Sequence, residues 1–213
     1  MKNKALYGLM SALFISGGLY AQTLKEIPLK KPDIHSGKPL MTALMERSSH
    51  REFDSRQLSE EHLSGLLWAA CGINRQESGK RTAPSSMNFQ DVQLYVLMQS
   101  GIYLYNEANH KLSLVKEGDY RAMAGKQDFV ATAPVNLVLV SDYSRMEKAE
   151  EKEKEFYSAI DAGFISQNIY LYCASEGLNT VVRAYIDREN LHQIMQLKPE
   201  QHVIVSQTVG YKP

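Results

Sequence analysis

Arg47-Ser48-Ser49-His50-Arg51 packs two guanidinium groups, two small hydroxyls and an imidazole into five residues. Arginine offers fixed, paired N–H donors and serine a short O–H donor, so the segment suits a phosphate dianion. It equally suits a solvated basic turn between two helices. A second group is Pro84-Ser85-Ser86-Met87-Asn88-Phe89-Gln90. Proline fixes the chain direction, the serines donate, and Asn88 offers a donor and an acceptor. That inventory reads the polar edge of a flat heterocycle, or makes an ordinary turn. The third is Gly177-Leu178-Asn179-Thr180-Val181-Val182-Arg183-Ala184. Here a long helix stops at glycine and runs into a strand, where backbone amides can approach a planar ligand or simply end the helix.

The elements that position these groups follow from pattern. Residues 22–39 form an arm punctuated by Pro28, Pro32 and Gly37. A short helix is predicted over Lys38–Glu46. A stronger one runs Ser59–Ala70, with Ser59 as cap, Glu60 and Glu61 in the first turn, and Gly72 as stop. Asn74–Gln90 reads as a long polar loop. Val92–Gln99, Ile102–Tyr105 and Lys111–Val115 read as strands, Asp119–Phe129 as a helix, and Val135–Val140 as a central strand. Arg145–Glu155 reads as the solvated start of a long helix that continues to Ser175. No charge falls between Asp161 and Glu176, so that stretch is expected between layers or at a subunit interface. Thr180–Ile186 and His202–Thr208 read as strands flanking a helix capped by Asp187. Hairpins mixed with helices indicate an α+β layer fold, and there is neither a G-x-G-x-x-G after a strand nor a phosphate-loop motif.

Composition narrows the function classes. The chain has 213 residues, 44% hydrophobic and 23% charged, with 24 basic and 24 acidic side chains. A zero balance argues against a nucleic-acid binder. The two cysteines, Cys71 and Cys173, and the six scattered histidines show no metal spacing. The cysteines read as a single disulfide or as two buried thiols. Residues 1–21 read as an export signal, with Lys2 and Lys4 before a mostly apolar run to Tyr20 and Ala21 at the cleavage site. The expectation is a periplasmic protein with no membrane association after cleavage. The alternative is an uncleaved N-terminal anchor.

In this order, over roughly residues 40 to 211, the three groups resemble the nitroreductase family of FMN-dependent oxidoreductases. Arg47 to Phe53 resembles its N-terminal phosphate motif, and Pro84 to Gln90 its Pro-Ser-x-x-Asn-x-Gln loop. Asp161-Ala162-Gly163 with Gln167-Asn168 resembles its central helix, and Gly177-Leu178 with the following strand the segment beneath the flavin. The resemblance implies residues 40–213 as one FMN-binding domain, a nitroreductase-like three-layer fold with a mostly antiparallel sheet flanked by helices, and a homodimer. It implies Arg47 and Arg51 on the FMN phosphate, with Ser48 and Ser49 on phosphate and ribityl chain. Pro84, Ser85, Ser86 and Asn88 would face the isoalloxazine, usually from the other subunit. Gln127 would reach the pyrimidine edge, and Val182, Arg183 and Ala184 would lie along the ring. Lys212 is the one base near the C-terminal end of this sequence that could reach the phosphate. Arg183 would meet flavin or substrate, or face solvent.

The activity implied is ping-pong hydride transfer through flavin N5 to a small molecule such as a nitro compound or quinone, from NAD(P)H or another donor. No side-chain triad is needed, because the flavin supplies the reactive atom. The spacing from Asp119 to Gln127 and the Tyr103–Tyr105 hairpin are similar to the branch that includes peptide azoline dehydrogenases. That similarity gives an alternative, oxidation of a small molecule or peptide ring. A non-enzymatic flavin-binding protein is the third reading.

Overall fold

The computed structural model describes residues 25–213. The expected export signal, and residues 22–24 of the arm, lie outside the described residues. The centre is a seven-stranded sheet. Its strands are β1 (Glu26–Pro28), β4 (Val92–Met98), β5 (Gly101–Asn106), β6 (Lys111–Glu117), β7 (Val135–Asp142), β8 (Asn179–Arg183) and β9 (Gln201–Gly210), in spatial order β1-β6-β5-β4-β7-β9-β8. Every neighbouring pair is antiparallel. A small separate hairpin joins β2 (Ile73–Arg75) to β3 (Lys80–Arg81).

Period-two alternation sends each central strand into two cores. Val92, Leu94, Val96 and Met98 of β4, with Val135, Leu137 and Leu139 of β7, meet helices α2 (Glu60–Cys71) and α4 (Glu151–Glu176) on one face. Tyr95, Leu97, Val138 and Val140 meet Val130 of α3 (Phe129–Thr132) and Leu191 of α5 (Arg188–Ile194) on the other. The fold is thus α+β in three layers, and α1 (Leu40–Glu46) packs on α4. Cys71 and Cys173 are buried free thiols in the first core. Tyr103 and Tyr105 are buried there too.

Local signals placed several boundaries. Ser59 Oγ accepts the His62 amide, Asp187 accepts the Asn190 amide, and Gly177 closes α4 at φ 71°. The arm pairs Ile27 with Leu112 and so widens the sheet by one strand. Four expectations change. The 74–90 segment is not a structureless loop but holds the β2–β3 hairpin, turned at Gly79. Asp119–Phe129 is not one helix. It splits into a 3₁₀ turn at Arg121–Ala124 and the separate α3, because a Cβ on Gly125 would come within 2.9 Å of Arg183 Nε, and the chain there is extended. The long helix starts at Glu151 rather than Arg145. Asp142 caps a 3₁₀ turn through Ser144, and buried Met146 turns the chain inward. Strand β8 ends at Arg183, three residues before Ile186.

Candidate functional site

Strand β8 is the edge of the sheet, so its outward backbone groups need partners. The 47–52 segment, leaving α1, supplies them: the His50 amide donates to the Thr180 carbonyl at 2.9 Å, and Asn179 Nδ2 donates to the Glu52 carbonyl at 2.8 Å. The Val182 amide donates to the Tyr170 hydroxyl at 3.1 Å. Tyr170 projects from α4 and lies 2.7 Å from Ser49 Oγ. The Tyr170 oxygen that accepts the Val182 amide thus also shares a hydrogen bond with the Ser49 hydroxyl, in which either group can donate. Arg47 stacks its guanidinium over the Tyr170 ring at 5.3 Å.

A cleft of about 330 Å³ opens beside this junction, lined by residues including Ser48, His50, Tyr170, Thr180 and Lys212. Ser48 Oγ lies 2.6 Å from His50 Nε2. Glu46 also lines the cleft, but Lys38 Nζ holds its carboxylate at 2.5 Å. Among the described residues neither Arg47 nor Arg51 forms an ion pair. The structure therefore brings Arg47, Ser48, Ser49, Val182 and Lys212 around one end of α4, with Arg51 next in the chain after His50. Guanidinium groups without an acid partner, serine hydroxyls and an acid already paired with Lys38 are a donor set that fits a phosphate monoester.

The 84–90 loop lies elsewhere. Ser86 donates its amide to both oxygens of Asp161 and its hydroxyl to Oδ1, all at 2.9 Å. Ser85 Oγ accepts the Gln90 amide at 2.9 Å. The Ser86 donors are thus committed to Asp161, in contrast to the role expected of that residue, whereas Ser85 accepts in its bond and keeps its hydroxyl proton. Met87, Asn88 and Gln90 sit at φ 47°, 57° and 49°, backbone shapes that side chains seldom adopt and that these bonds hold. The loop presents Pro84, Met87 and Asn88 to solvent. Asp161 and Tyr170 are nine positions apart on α4, about 13–14 Å at 1.5 Å per residue. The loop and the 47–51 segment therefore do not meet within one protomer.

Arg183 does not face solvent. It is 6% exposed, and its contacts are all neutral: Thr208 Oγ1, Ser206 Oγ, Asn136 Oδ1 and the Ala124 carbonyl. Burial lowers its affinity for the proton, to a pKa of about 10. Its Nε and Gln127 Oε1 are buried without partners among the described residues and crowd Gly125 together. Ala184 is exposed, but its carbonyl accepts the Ile186 amide.

Nothing local marks Tyr170, a tyrosine in an uncharged helical run, and in the sequence Asp161 stands out only as part of a helix motif. A signal existed there, since Asp161 is the last charge before the uncharged stretch.

The family model described as "Nitroreductase family" matches residues 44–211. The chain is 41% identical to a candidate nitroreductase from Ralstonia eutropha JMP134, whose crystal structure aligns over 99% of this chain and 98% of that one with a TM-score of 0.85. At the level of fold alone it is similar to a chain of the E. coli microcin synthetase McbBCD complex (17% identity, TM-score 0.68, 97% of this chain and 85% of that one). The same holds for the NADPH:FMN oxidoreductase of Vibrio harveyi (20% identity, TM-score 0.62, 81% and 68%).

Proposed function

The chain belongs to the nitroreductase family, and on that premise we propose that it is an FMN-dependent oxidoreductase acting on a small molecule. The observation that carries the reading is the 47–51 segment. It carries two guanidinium groups without an acid partner among the described residues and a Ser49 hydroxyl bonded to Tyr170, next to a cleft that Ser48, His50, Tyr170 and Lys212 line, and this donor set supports a phosphate site. Arg47, Ser49 and Arg51 would hold the phosphate, with Ser48 and Lys212 beside it. FMN, when bound, accepts a hydride at N5 and passes it to a second substrate. The chain's own contribution is to bind and orient.

A homodimer completes this reading. Helix α1 exposes Leu40, Met41, Leu44 and Met45, and α4 exposes Phe156 and Phe164 around Gly163, which has open space above its Cα. That face flanks both halves of the candidate site, and a second copy there would carry a partner loop toward the cradle. Export through residues 1–21 is part of the proposal, and the mass of the mature N terminus checks it.

A second reading, oxidation of a small molecule or peptide ring, draws support from the greater span of the fold likeness to the microcin synthetase chain. The test uses the purified mature protein incubated with FMN. We expect a yellow protein with protein-bound flavin absorbance. A protein that stays colourless overturns both readings. Bleaching of the bound flavin by NADH or NADPH favours the first, and bleaching only by an oxidisable ring substrate favours the second.

A further inference from the structure

Two acids lie beneath the 84–90 loop: Asp91 at the foot of β4, and Asp161 in α4. Asp161 spends both oxygens on the Ser86 amide and hydroxyl. Asp91 is fully buried, and its Oδ1 has no partner among the described residues. Its Oδ2 begins a row of close oxygens. Ser141 Oγ lies 2.6 Å from it, Ser158 Oγ 2.8 Å from Ser141 Oγ, and the Lys154 carbonyl 2.6 Å from Ser158 Oγ.

The row needs more protons than its hydroxyls hold. Three oxygen pairs each require one, and Ser141 and Ser158 supply two. With Asp91 ionised, Ser141 donates to it, and Ser158 can serve either Ser141 or the Lys154 carbonyl. One pair would then face each other with no proton between them. A proton on Asp91 Oδ2 completes the row: Asp91 donates to Ser141, Ser141 to Ser158, and Ser158 to the carbonyl. An unpartnered Oδ1 also costs less as a neutral carbonyl than as half of a carboxylate.

The surrounding charges do not favour ionisation either. From α4, Asp161 repels a second carboxylate, Lys154 is paired with Glu151 at 2.8 Å, and Glu155 is a further acid. From the end of β7 and its turn come Asp142, Tyr143 and Arg145. Arg145 lies 3.8 Å from Asp142 and donates to the Gln90 carbonyl.

We propose that Asp91 is a positioning residue that keeps its proton in mildly acidic solution and gives it up around neutrality, and that as a neutral acid beside Asp161 it holds the 84–90 loop in its strained shape. Burial pushes the Asp91 carboxyl up to about 7, with the Ser141 hydroxyl opposing and Asp161 reinforcing the shift. In an opened chain the same carboxyl returns to its ordinary value of 3.8. The closed loop thus binds the proton more tightly than the open one. Its advantage is complete below the ordinary value, declines as pH rises, and is gone above about 7.

The experiment uses the apoprotein, so its outcome is independent of the flavin reading. Amide hydrogen exchange at Ser86, corrected for intrinsic rate, is followed across pH in the wild type and in Asp91→Asn, whose side-chain N–H replaces the acid's O–H. Wild-type protection is expected to fall by up to about tenfold per pH unit across the window and then level off. Protection in Asp91→Asn is expected to stay flat. Parallel profiles in the two proteins overturn the proposal. Carboxyl carbon chemical shifts of the wild type alone give a second measurement. An Asp91 resonance that titrates near neutrality supports the proposal, and one that titrates with the ordinary surface acids overturns it.

Discussion

Ser49 and Ser86 both hydrogen-bond to helix α4, but Ser49 meets a hydroxyl at Tyr170 and Ser86 a carboxylate at Asp161. Against a hydroxyl, Ser49 can donate or accept, so its proton can still turn to a ligand. Ser86 gives its proton to a carboxylate and has none left to offer. The same residue type therefore serves recognition in the first segment and loop shape in the second. The backbones differ accordingly. The 47–52 segment is tied to the sheet edge by main-chain and Asn179 bonds. The 84–90 loop has left-handed residues that its own side chains must hold.

Substitutions that act on one half and spare the other test this contrast. The largest effect is expected from Arg47→Ala combined with Arg51→Ala. Two charge-assisted contacts are lost, and FMN affinity by flavin titration should fall by about 3–5 kcal/mol while urea stability stays within about 0.5 kcal/mol of wild type. Unchanged affinity would make the segment a surface turn. Asp161→Ala should behave in the reverse manner. It strands the Ser86 amide and hydroxyl, and unfolding stability in urea should drop by about 2–3 kcal/mol. A stable Asp161→Ala protein would show that the loop does not depend on that carboxylate. The smallest effect belongs to Tyr170→Phe. Losing the hydroxyl between Val182 and Ser49 should weaken FMN binding by about 1 kcal/mol, roughly fivefold, and leave exchange at the Ser86 amide unchanged. A Tyr170→Phe protein with loosened Ser86 exchange would mean that the two halves are coupled along α4.

Much of the scaffold was legible because its signals are local. Alternating apolar residues in Val92–Met98 and Val135–Val140, the Ser59 and Asp187 caps and the Gly177 stop each depend on neighbours a few positions away. The misread stretches depend on distant ones. Asp119–Phe129 has helical composition, but Gly125 is shaped by the approach of Arg183 from β8. Arg145–Glu150 has the charges of a helix start, but Asp142 and the burial of Met146 turn the chain first. Arg183 looked like a ligand or solvent contact because a lone arginine in a strand shows nothing of the Thr208, Ser206 and Asn136 oxygens that enclose it.

Residue types and order alone determined the layered α+β fold, the family resemblance and the two serine-bearing segments as candidates. Only the tertiary structure decided which group stands opposite each serine hydroxyl, that Arg183 is buried, and that Asp91 begins a row of close oxygens. The physical reason is range. Propensity and periodicity act over one or two turns of chain, whereas a hydrogen bond's direction is set by whatever the fold places opposite it. For Ser49 that partner is Tyr170, 121 positions away.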